Sequence, residues 1–394
     1  MLDLAALQSA RGDEVEFFAM SHPMNRPSRF ESHFPENVEF NPPPSSIKGR
    51  MRAAGRLLYS PAAKRGMEKV LAELRPDVVH LHNIYHQLSP SILRPLMDRH
   101  IPAVMTLHDY KLVCPTYLFL AHGEVCEACL GGHFYQAILK RCNEGSLAAS
   151  SLNALELTVH TATKAYSPVT LFLTPSRFLL GKMSEGGVFP DRLRLLHNFV
   201  DASAITRKRN AGGGVVYAGR LSKEKGIDVL IEAAARLKIP IDVAGDGPDK
   251  QMFQSLAERL GVDVRFHGHL QKGRLHELVR SASVSVLPSR CHENQPLGVL
   301  ESFCCGVPVV GTKLGGIPEL IRPGVNGDLV PPNDPTALAR SLESLLADDK
   351  RAFQMGAAGR VTVEEEYSPL KHLDGLDALY DEATRKVETK RSPV

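Results

Sequence analysis

Two acidic residues, Glu293 and Glu301, stand eight positions apart on either side of a predicted helix start. The helix is expected to begin at Pro296 or Leu297, because proline suits the first helical position. The unpaired N–H groups and the dipole of a helix start bind anions such as a diphosphate. Carboxylates accept hydrogen bonds from sugar hydroxyls, and Gly298 would admit a ligand close to the backbone. Two surface acids flanking a helix start are the alternative.

A second charged group lies in the segment Tyr217-Ala-Gly-Arg-Leu-Ser-Lys-Glu-Lys-Gly226, where a predicted strand ends and a helix begins. Ligands of open α/β sheets bind at this edge. Arg220 and Lys225 are five residues apart and would hold two phosphates. A loop with solvated charges is the alternative. Two glycine-bearing turns, 244–248 and 311–319, are weak signals alone, because most such turns only reverse the chain.

The elements that must position these residues follow an alternating pattern. Short apolar, β-branched runs are separated by turn residues and helical stretches, and they predict strands at 15–20, 77–83, 103–109, 171–176, 193–200, 214–219, 241–245, 264–268, 284–288, 307–312 and 327–330. Alternation of this length predicts parallel sheets covered on both faces by helices. The polar segment 198–214 is predicted to be an interdomain linker.

The first domain departs from this pattern at its beginning. A doubly wound domain usually opens with a strand and a glycine-bearing turn. Here the first ten residues already show a helical pattern, with a strand predicted at 15–20. We therefore predict an α/β protein of two domains, 1–199 and 200–368, whose first domain lacks its first strand and loop. A further helix is predicted at 369–386.

A known family shows the same residue types in the same order and spacing. The chain resembles family 4 retaining glycosyltransferases of the GT-B fold, in which two Rossmann-like domains face a cleft. The resemblance covers nearly the whole chain and is most specific over 214–332. It rests on six residues: Arg220, Lys225, Glu293, Glu301, Gly315 and Gly316.

The resemblance implies a role for each matched position of the second domain. Arg220 and Lys225 would hold the donor diphosphate, and Glu293 would contact hydroxyls of the transferred sugar. The backbone at Pro296, Leu297 and Gly298 would help to hold sugar and phosphate.

It also implies roles further from the diphosphate. Glu301 would hold the ribose, and the backbone ending at Leu270 would meet the base. The first domain should supply a sugar-contacting histidine, and His108 lies in that place, at the end of a predicted strand. A core or surface histidine is the alternative for His108. The helix at 369–386 would return to the first domain.

The implied reaction transfers a sugar from a nucleoside-diphosphate sugar to an acceptor hydroxyl with retention, in the synthesis of a cell-surface polysaccharide or glycolipid. Two cations and a helix start would stabilise the leaving diphosphate without a metal, so no catalytic metal is expected. The alternative is an N-terminally truncated, inactive pseudoenzyme that binds nucleotide sugar. A nicotinamide-dependent oxidoreductase is disfavoured, because no G-x-G-x-x-G follows an opening strand.

Four of the seven cysteines form a pattern of their own, C-x11-C-x2-C-x12-C, at Cys114, Cys126, Cys129 and Cys142. A C-x2-C pair flanked by single cysteines about a dozen residues away suits a tetrahedral structural zinc site. Zinc would pin the insert 113–145, which has little apolar content. Reduced thiols, an iron–sulfur cluster and a redox pair stay open. A zinc-dependent nucleic-acid binder is disfavoured, because the basic residues lie far from this single cluster.

Basic residues are concentrated in one segment, although the net charge is only +3. Residues 48–69 hold seven Lys or Arg and one acid, which indicates a solvated helical face or a surface for anionic lipid or an anionic acceptor. No apolar run approaches the ~20 residues of a membrane span, and the N-terminus does not resemble a signal peptide. We therefore expect a cytoplasmic protein, peripheral at the inner membrane face, with a lipid-linked or saccharide acceptor.

Overall fold

The computed structural model describes residues 1–38, 46–207 and 212–391 of the chain. Its strands are β1 Val79–His82, β2 Ala103–Thr106, β3 Leu120–Ala121, β4 Glu124–Val125, β5 Leu171–Thr174, β6 Leu193–Leu195, β7 Val215–Ala218, β8 Ile241–Ala244, β9 Val264–Gly268, β10 Val284–Leu287, β11 Val309–Thr312 and β12 Gly327–Val330. Its helices are α1 Leu2–Arg11, α2 Ile47–Leu58, α3 Pro61–Glu73, α4 Leu93–Asp98, α5 Tyr135–Leu139, α6 Leu147–Ala162, α7 Arg177–Glu185, α8 Ile227–Leu237, α9 Lys250–Leu260, α10 Lys272–Ser281, α11 Leu297–Cys304, α12 Ile317–Leu320, α13 Pro335–Leu346, α14 Asp349–Glu366 and α15 Pro369–Arg391.

Two parallel sheets organise the chain. The first has the order β1-β2-β5-β6, and the second has the order β12-β11-β10-β7-β8-β9. Successive residues of one strand point to opposite faces, and Val215 and Tyr217 pack in one apolar cluster while Val216 packs in another. Both faces are therefore covered, and the prediction of an α/β protein with two Rossmann-like domains is confirmed.

The first sheet is covered by elements from both ends of the chain. Val104 and Leu171 pack with Leu4 of α1 and Leu376 of α15, while Met105 and its neighbours on the other face pack against α3 and α4. The last helix therefore leaves the second sheet and lies on the first. In the ranges that the structure describes, no helix combines the length and apolarity that a membrane crossing needs.

The strand predicted at 15–20 is wrong. The segment is irregular, with an isolated bridge between Ser21 and Glu36. A cavity of about 730 Å³ separates residues 13–18 from β1, and among the described residues β1 pairs with β2 alone. Residues 15–20 therefore have no neighbouring strand to complete a ladder. That the domain lacks an additional strand at this edge stays a prediction. Residues 208–211 of the predicted linker lie outside the described residues.

Candidate functional site

The cationic loop and the acidic segment predicted from sequence meet in one place. Lys225 Nζ lies 2.7 Å from Glu293 Oε1, and Ser289 Oγ donates to the same oxygen at 2.6 Å. The two segments follow β7 and β10, which are neighbours in the sheet. Burial alone would lower the pKa of Lys225, but Glu293 and Glu224 outweigh it and the pKa is raised. Lys225 is therefore a charged ammonium in a largely enclosed position.

Arg220 is exposed on the loop after β7 and has no carboxylate within ion-pairing distance among the described residues. Its loop is fixed by the turn after β8: Gly219 donates to the carbonyl of Ala244 at 3.0 Å. Gly245 has φ +134, and a Cβ there would lie 1.8 Å from the carbonyl oxygen of Gly219. The glycine-bearing turn 244–248 therefore supports the arginine loop by close backbone packing.

The helix start predicted beside Glu293 is present. Pro296 is the N-cap residue and α11 begins at Leu297. The prediction needs one correction, because Pro296 has no N–H and cannot donate to a phosphate. The amides of Leu297 and Gly298 lie in the first turn, where helices leave N–H groups unpaired. A Cβ at Gly298 would meet no atom closer than 3.9 Å, so the space beside this turn is open.

The second glycine-bearing turn supports the Glu293 segment. Gly316 donates its N–H to the carbonyl of Glu293 at 2.7 Å. A Cβ at Gly315, where φ is +59, would lie 2.2 Å from that carbonyl oxygen, and a Cβ at Gly316 would lie 1.8 Å from the carbonyl oxygen of Asn294. The turn therefore needs glycine for contact with protein backbone.

Gly316→Ala should displace the Glu293 segment, because its Cβ would overlap the backbone of Asn294. Overpacking of this kind costs about 1–3 kcal/mol of folding free energy, so we expect a lower melting temperature. Calorimetry should also show weaker binding of nucleoside diphosphate, because the first-turn amides of α11 follow the displaced segment. Gly273→Ala is the matched control, because a Cβ on that face of α10 meets nothing within 4 Å. Equal behaviour of the two variants would contradict the supporting role.

Three histidines of the first domain lie together at the ends of β1 and β2. His108 Nε2 and His82 Nδ1 are 2.9 Å apart, and the rings of His82 and His80 stack with centroids 4.3 Å apart. His80 also contacts Thr106 Oγ1 at 2.7 Å and Tyr380 Oη of α15 at 2.8 Å. Burial lowers the pKa of His108 to about 4 and that of His80 to about 3. These imidazoles are therefore neutral near pH 7.

Acid should destabilise the protein through these groups. An unfolded histidine titrates near 6.5, above the pKa of folded His108, so the unfolded chain binds more protons between about pH 6.5 and 4. The free energy of unfolding should therefore fall as pH is lowered through this window. His108→Gln should reduce the slope by up to about 1.4 kcal/mol per pH unit in urea titrations. The exposed His22→Gln control should leave it unchanged, and an equal slope in His108→Gln would contradict the assignment.

The two halves of the site touch across the cleft. Asn294 Nδ2 donates to the carbonyl of Leu107 at 3.2 Å, and Ser176 Oγ donates to Asn294 Oδ1 at 2.7 Å. Tyr110 Oη donates to the carbonyl of Glu293 at 3.4 Å. Glu293 thus takes part in a direct interdomain hydrogen bond, and His108 directly follows Leu107, which takes part in another. Neither Asn294 nor Tyr110 is predicted as a site residue from the sequence, although both adjoin predicted motifs.

The remaining predicted residues lie at the same edge of the second sheet. Glu301 is in the second turn of α11, and burial raises its pKa, with Lys272 opposing and Asp3 reinforcing the effect. Leu270 follows the end of β9, where the carbonyl of Gly268 accepts from the N–H of Gly245 at 2.7 Å. The structure records no contact between either side chain and Glu293, so the ribose and base roles stay predictions.

The four clustered cysteines are free thiols. Cys129 and Cys142 share one small apolar cluster with residues of α5 and α6. Burial raises the pKa of Cys129 to about 12, and the thiols of Cys114, Cys142 and Cys126 act in the same direction. In the ranges given above, however, no three His, Cys, Asp or Glu side chains are arranged to hold a metal ion.

The cysteine-rich insert also contacts the donor side of the cleft, which the sequence did not predict. Glu127, between Cys126 and Cys129, lies 3.1 Å from His292 Nε2 and 2.8 Å from Lys182 Nζ. His292 directly precedes Glu293. No sequence signal links residues 165 positions apart, so only the fold shows that the insert braces this segment.

Comparison with known families gives two matches. The family model described as "Glycosyltransferase Family 4" matches residues 1–204, and the one described as "Glycosyl transferases group 1" matches residues 202–362. Together they cover both domains.

Curated relatives match over part of their length. A D-inositol 3-phosphate glycosyltransferase of Thermobifida fusca is 32% identical over 43% of this chain and 42% of its own. A GDP-mannose-dependent alpha-(1-6)-phosphatidylinositol monomannoside mannosyltransferase of Mycolicibacterium smegmatis is 36% identical over 41% of this chain and 46% of its own. The matched region thus spans less than half the length of these two relatives.

Solved structures resemble the whole chain. Sucrose-phosphate synthase from Thermosynechococcus elongatus superposes with a TM-score of 0.71 at 20% identity, over 96% of this chain and 91% of its own. Anabaena Alr3699/HepE in complex with UDP superposes with a TM-score of 0.61 at 17% identity, over 82% of each chain. At these identities the likeness establishes the fold alone.

Proposed function

The chain belongs to glycosyltransferase family 4 and has the GT-B fold, and we propose from this that it transfers a hexose from a nucleoside-diphosphate sugar to an acceptor hydroxyl with retention. One observation carries the proposal: Lys225, which we assign to the diphosphate, contacts Glu293, which we assign to the sugar. Asn294, next to Glu293, donates to the carbonyl of Leu107, next to His108. The structural relative HepE, which is described with UDP bound, adds support for a nucleotide-sugar donor.

The charges fit the departure of a diphosphate. As the bond to the sugar breaks, negative charge grows on the β-phosphate, and donors already aimed at that position lower the barrier. The exposed guanidinium of Arg220 has both edges available for phosphate oxygens, and the first-turn amides of Leu297 and Gly298 supply N–H groups. Lys225 adds a second positive charge. We expect no catalytic metal in this arrangement.

The sugar would lie between Glu293 and His108. Glu293 Oε1 is taken by Lys225 and Ser289, which leaves Oε2 for a sugar hydroxyl. His108 is neutral and its Nε2 faces His82, so its Nδ1 is left for the donor sugar. An oxygen of the departing phosphate would take the proton of the acceptor hydroxyl, and attack from the same face gives retention.

Thermal-shift measurements with UDP, GDP and ADP sugars test this function, because a ligand that binds only the folded chain stabilises it by mass action. We expect one nucleotide class to raise the melting temperature and to be consumed when acceptor is supplied, with the product anomer read by NMR. Stabilisation without turnover under any acceptor would instead identify the inactive nucleotide-sugar-binding pseudoenzyme. If no nucleotide sugar raises the melting temperature, both the transferase and the nucleotide-sugar-binding pseudoenzyme are refuted.

We also propose that the acceptor is lipid-linked or a saccharide, and that the enzyme works in polysaccharide or glycolipid synthesis at the inner face of an anionic membrane. The support is the basic character of α2 and α3, which carry Lys48, Arg52, Arg56, Lys64, Arg65 and Lys69 on described side chains. Anionic lipid attracts such segments by about 1 kcal/mol per cation.

For the cysteine-rich insert we propose a structural zinc ion bound by Cys114, Cys126, Cys129 and Cys142. The support is the donor set and the mutual influence of the thiols on the pKa of Cys129; binding would draw the four segments together. We expect one zinc per chain by elemental analysis and a fall in melting temperature with chelator. Cys129→Ser should lose the zinc, whereas the buried Cys291→Ser should keep it. Metal-free protein of unchanged stability would contradict the site.

A further inference from the structure

A second cavity, of about 720 Å³, lies in the first domain between residues 32–36 and the helix pair α2 and α3. We call it the basic groove. Four cationic side chains share its wall, with Tyr59 between the two helices: Arg52, Arg56, Arg65 and Lys69. The one acidic residue of the lining is Glu36, whose backbone carbonyl accepts from Arg56 at 2.6 Å.

The positive charge of the basic groove is not balanced by carboxylates of the part of the chain that the structure describes. Arg52, Arg65 and Lys69 are exposed, and no carboxylate in the described ranges forms an ion pair with them. Lys64, which lies on α3 but does not line the groove, forms an ion pair with Glu68 at 3.6 Å. The pKa of Arg56 is lowered by burial and by the neighbouring charge of Arg52, with Glu36 opposing. No group in the described ranges forms a hydrogen bond with the buried Nε of Arg56.

The fold directs this groove toward the reacting side of the first domain. Helix α3 runs back to β1, so its first residues lie at the carboxyl end of the strands. Ser60, the N-cap of α3, donates its N–H to Ser89 Oγ at 3.0 Å and accepts from Ser91 Oγ at 2.9 Å, and both serines follow β1. His82 is the last residue of β1, and His108 follows the end of β2 at the same edge of the sheet.

We propose that the basic groove binds the phosphate or diphosphate group of the acceptor substrate. Guanidinium forks bind phosphate oxygens in pairs. The buried Nε of Arg56, which has no hydrogen-bond partner among the described residues, is costly unless an anion completes it. The donor diphosphate has its own cations on the other domain, so the groove serves a second anion. A neutral saccharide acceptor would not compensate four positive charges. This inference rests on the proposed transfer reaction, because it assigns the groove to the second substrate.

Titration calorimetry with inorganic pyrophosphate tests the groove. The groove variant combines Arg52→Gln, Arg65→Gln and Lys69→Gln. Its control combines Arg236→Gln, Arg259→Gln and Lys350→Gln, which removes the same charge from exposed positions of the second domain. Wild type should bind at two sites. Arg220→Ala should remove one, and the groove variant, which lacks three cations, should weaken the other about a thousandfold, because charge-assisted hydrogen bonds contribute roughly tenfold each. The control should match wild type.

The outcomes separate the groove from the donor site. Loss of the second site in the groove variant, with the Arg220-dependent site retained, supports the groove. If Arg220→Ala changes nothing while the groove variant loses a site, the groove stands and the donor assignment fails. Unchanged pyrophosphate binding in the groove variant overturns the proposal. The proposal is also overturned if the groove variant loses only its sedimentation with phosphatidylglycerol vesicles and keeps pyrophosphate binding, because that result identifies a membrane-docking face.

Discussion

Arg220→Ala should lower kcat/KM for sugar transfer by about two to three orders of magnitude, since removing a comparable preorganised donor costs roughly 3 kcal/mol or more of transition-state stabilisation. Arg220 is exposed and its side chain has no described ion-pair partner, so the substitution leaves no buried group unpaired. The loss should therefore fall on turnover, with little change in melting temperature. Initial rates of nucleoside diphosphate release would measure it.

Arg236→Ala is the matched control for this change. Arg236 is an exposed arginine of α8 in the same domain, and its removal alters net charge equally. We expect its kcat/KM to stay within twofold of wild type. Equal rates for Arg220→Ala and wild type would mean that the leaving diphosphate is stabilised elsewhere.

Glu293→Gln should have the second large effect. The amide would keep a hydrogen bond to Ser289 but would lose the ion pair with Lys225, whose ammonium is largely enclosed. A hydrogen bond to a charged group contributes about 1.5–3 kcal/mol, so we expect transfer to slow by about ten- to a hundredfold. Because we propose that the carboxylate contacts the sugar, the affinity for free nucleoside diphosphate should fall much less than the affinity for nucleotide sugar.

Glu258→Gln, on the exposed face of α9, removes one carboxylate from the same domain and should leave both affinities unchanged. The comparison of free nucleotide with nucleotide sugar is the sensitive readout. A Glu293→Gln variant that weakens both ligands equally would assign Glu293 to the phosphate side or to folding, and not to the sugar.

The second domain could be predicted closely from the sequence, and the first less closely, because four of its five predicted strands are present and one is wrong. In the second domain every predicted strand is present, because buried β-branched runs and glycine-bearing turns alternate regularly. In the first domain, residues 15–20 have the composition of a strand, yet they have no neighbouring strand to pair with. Strand propensity reports a residue's fit to a sheet and does not create the sheet.

Some residues of the candidate site could be predicted from the sequence, and others could not. Lys225 and Glu293 were predicted because strand ends collect ligands, and their contact was a consequence of β7 lying beside β10. The brace from Glu127 to His292 and the interdomain bond from Asn294 to Leu107 were not predictable, because they depend on how the domains and the insert pack. The sequence around Gly316 predicts only a turn, and it does not predict the close packing of Gly316 against the backbone of Asn294.

A crystal structure of the protein with UDP, or with the nucleoside diphosphate that stabilises it most, tests the central claim most directly. The account predicts the diphosphate within hydrogen-bonding distance of Arg220 and of the amides of Leu297 and Gly298, with the site of the missing sugar between Glu293 and His108. A diphosphate bound elsewhere, with Arg220 and the start of α11 left in solvent, would contradict it.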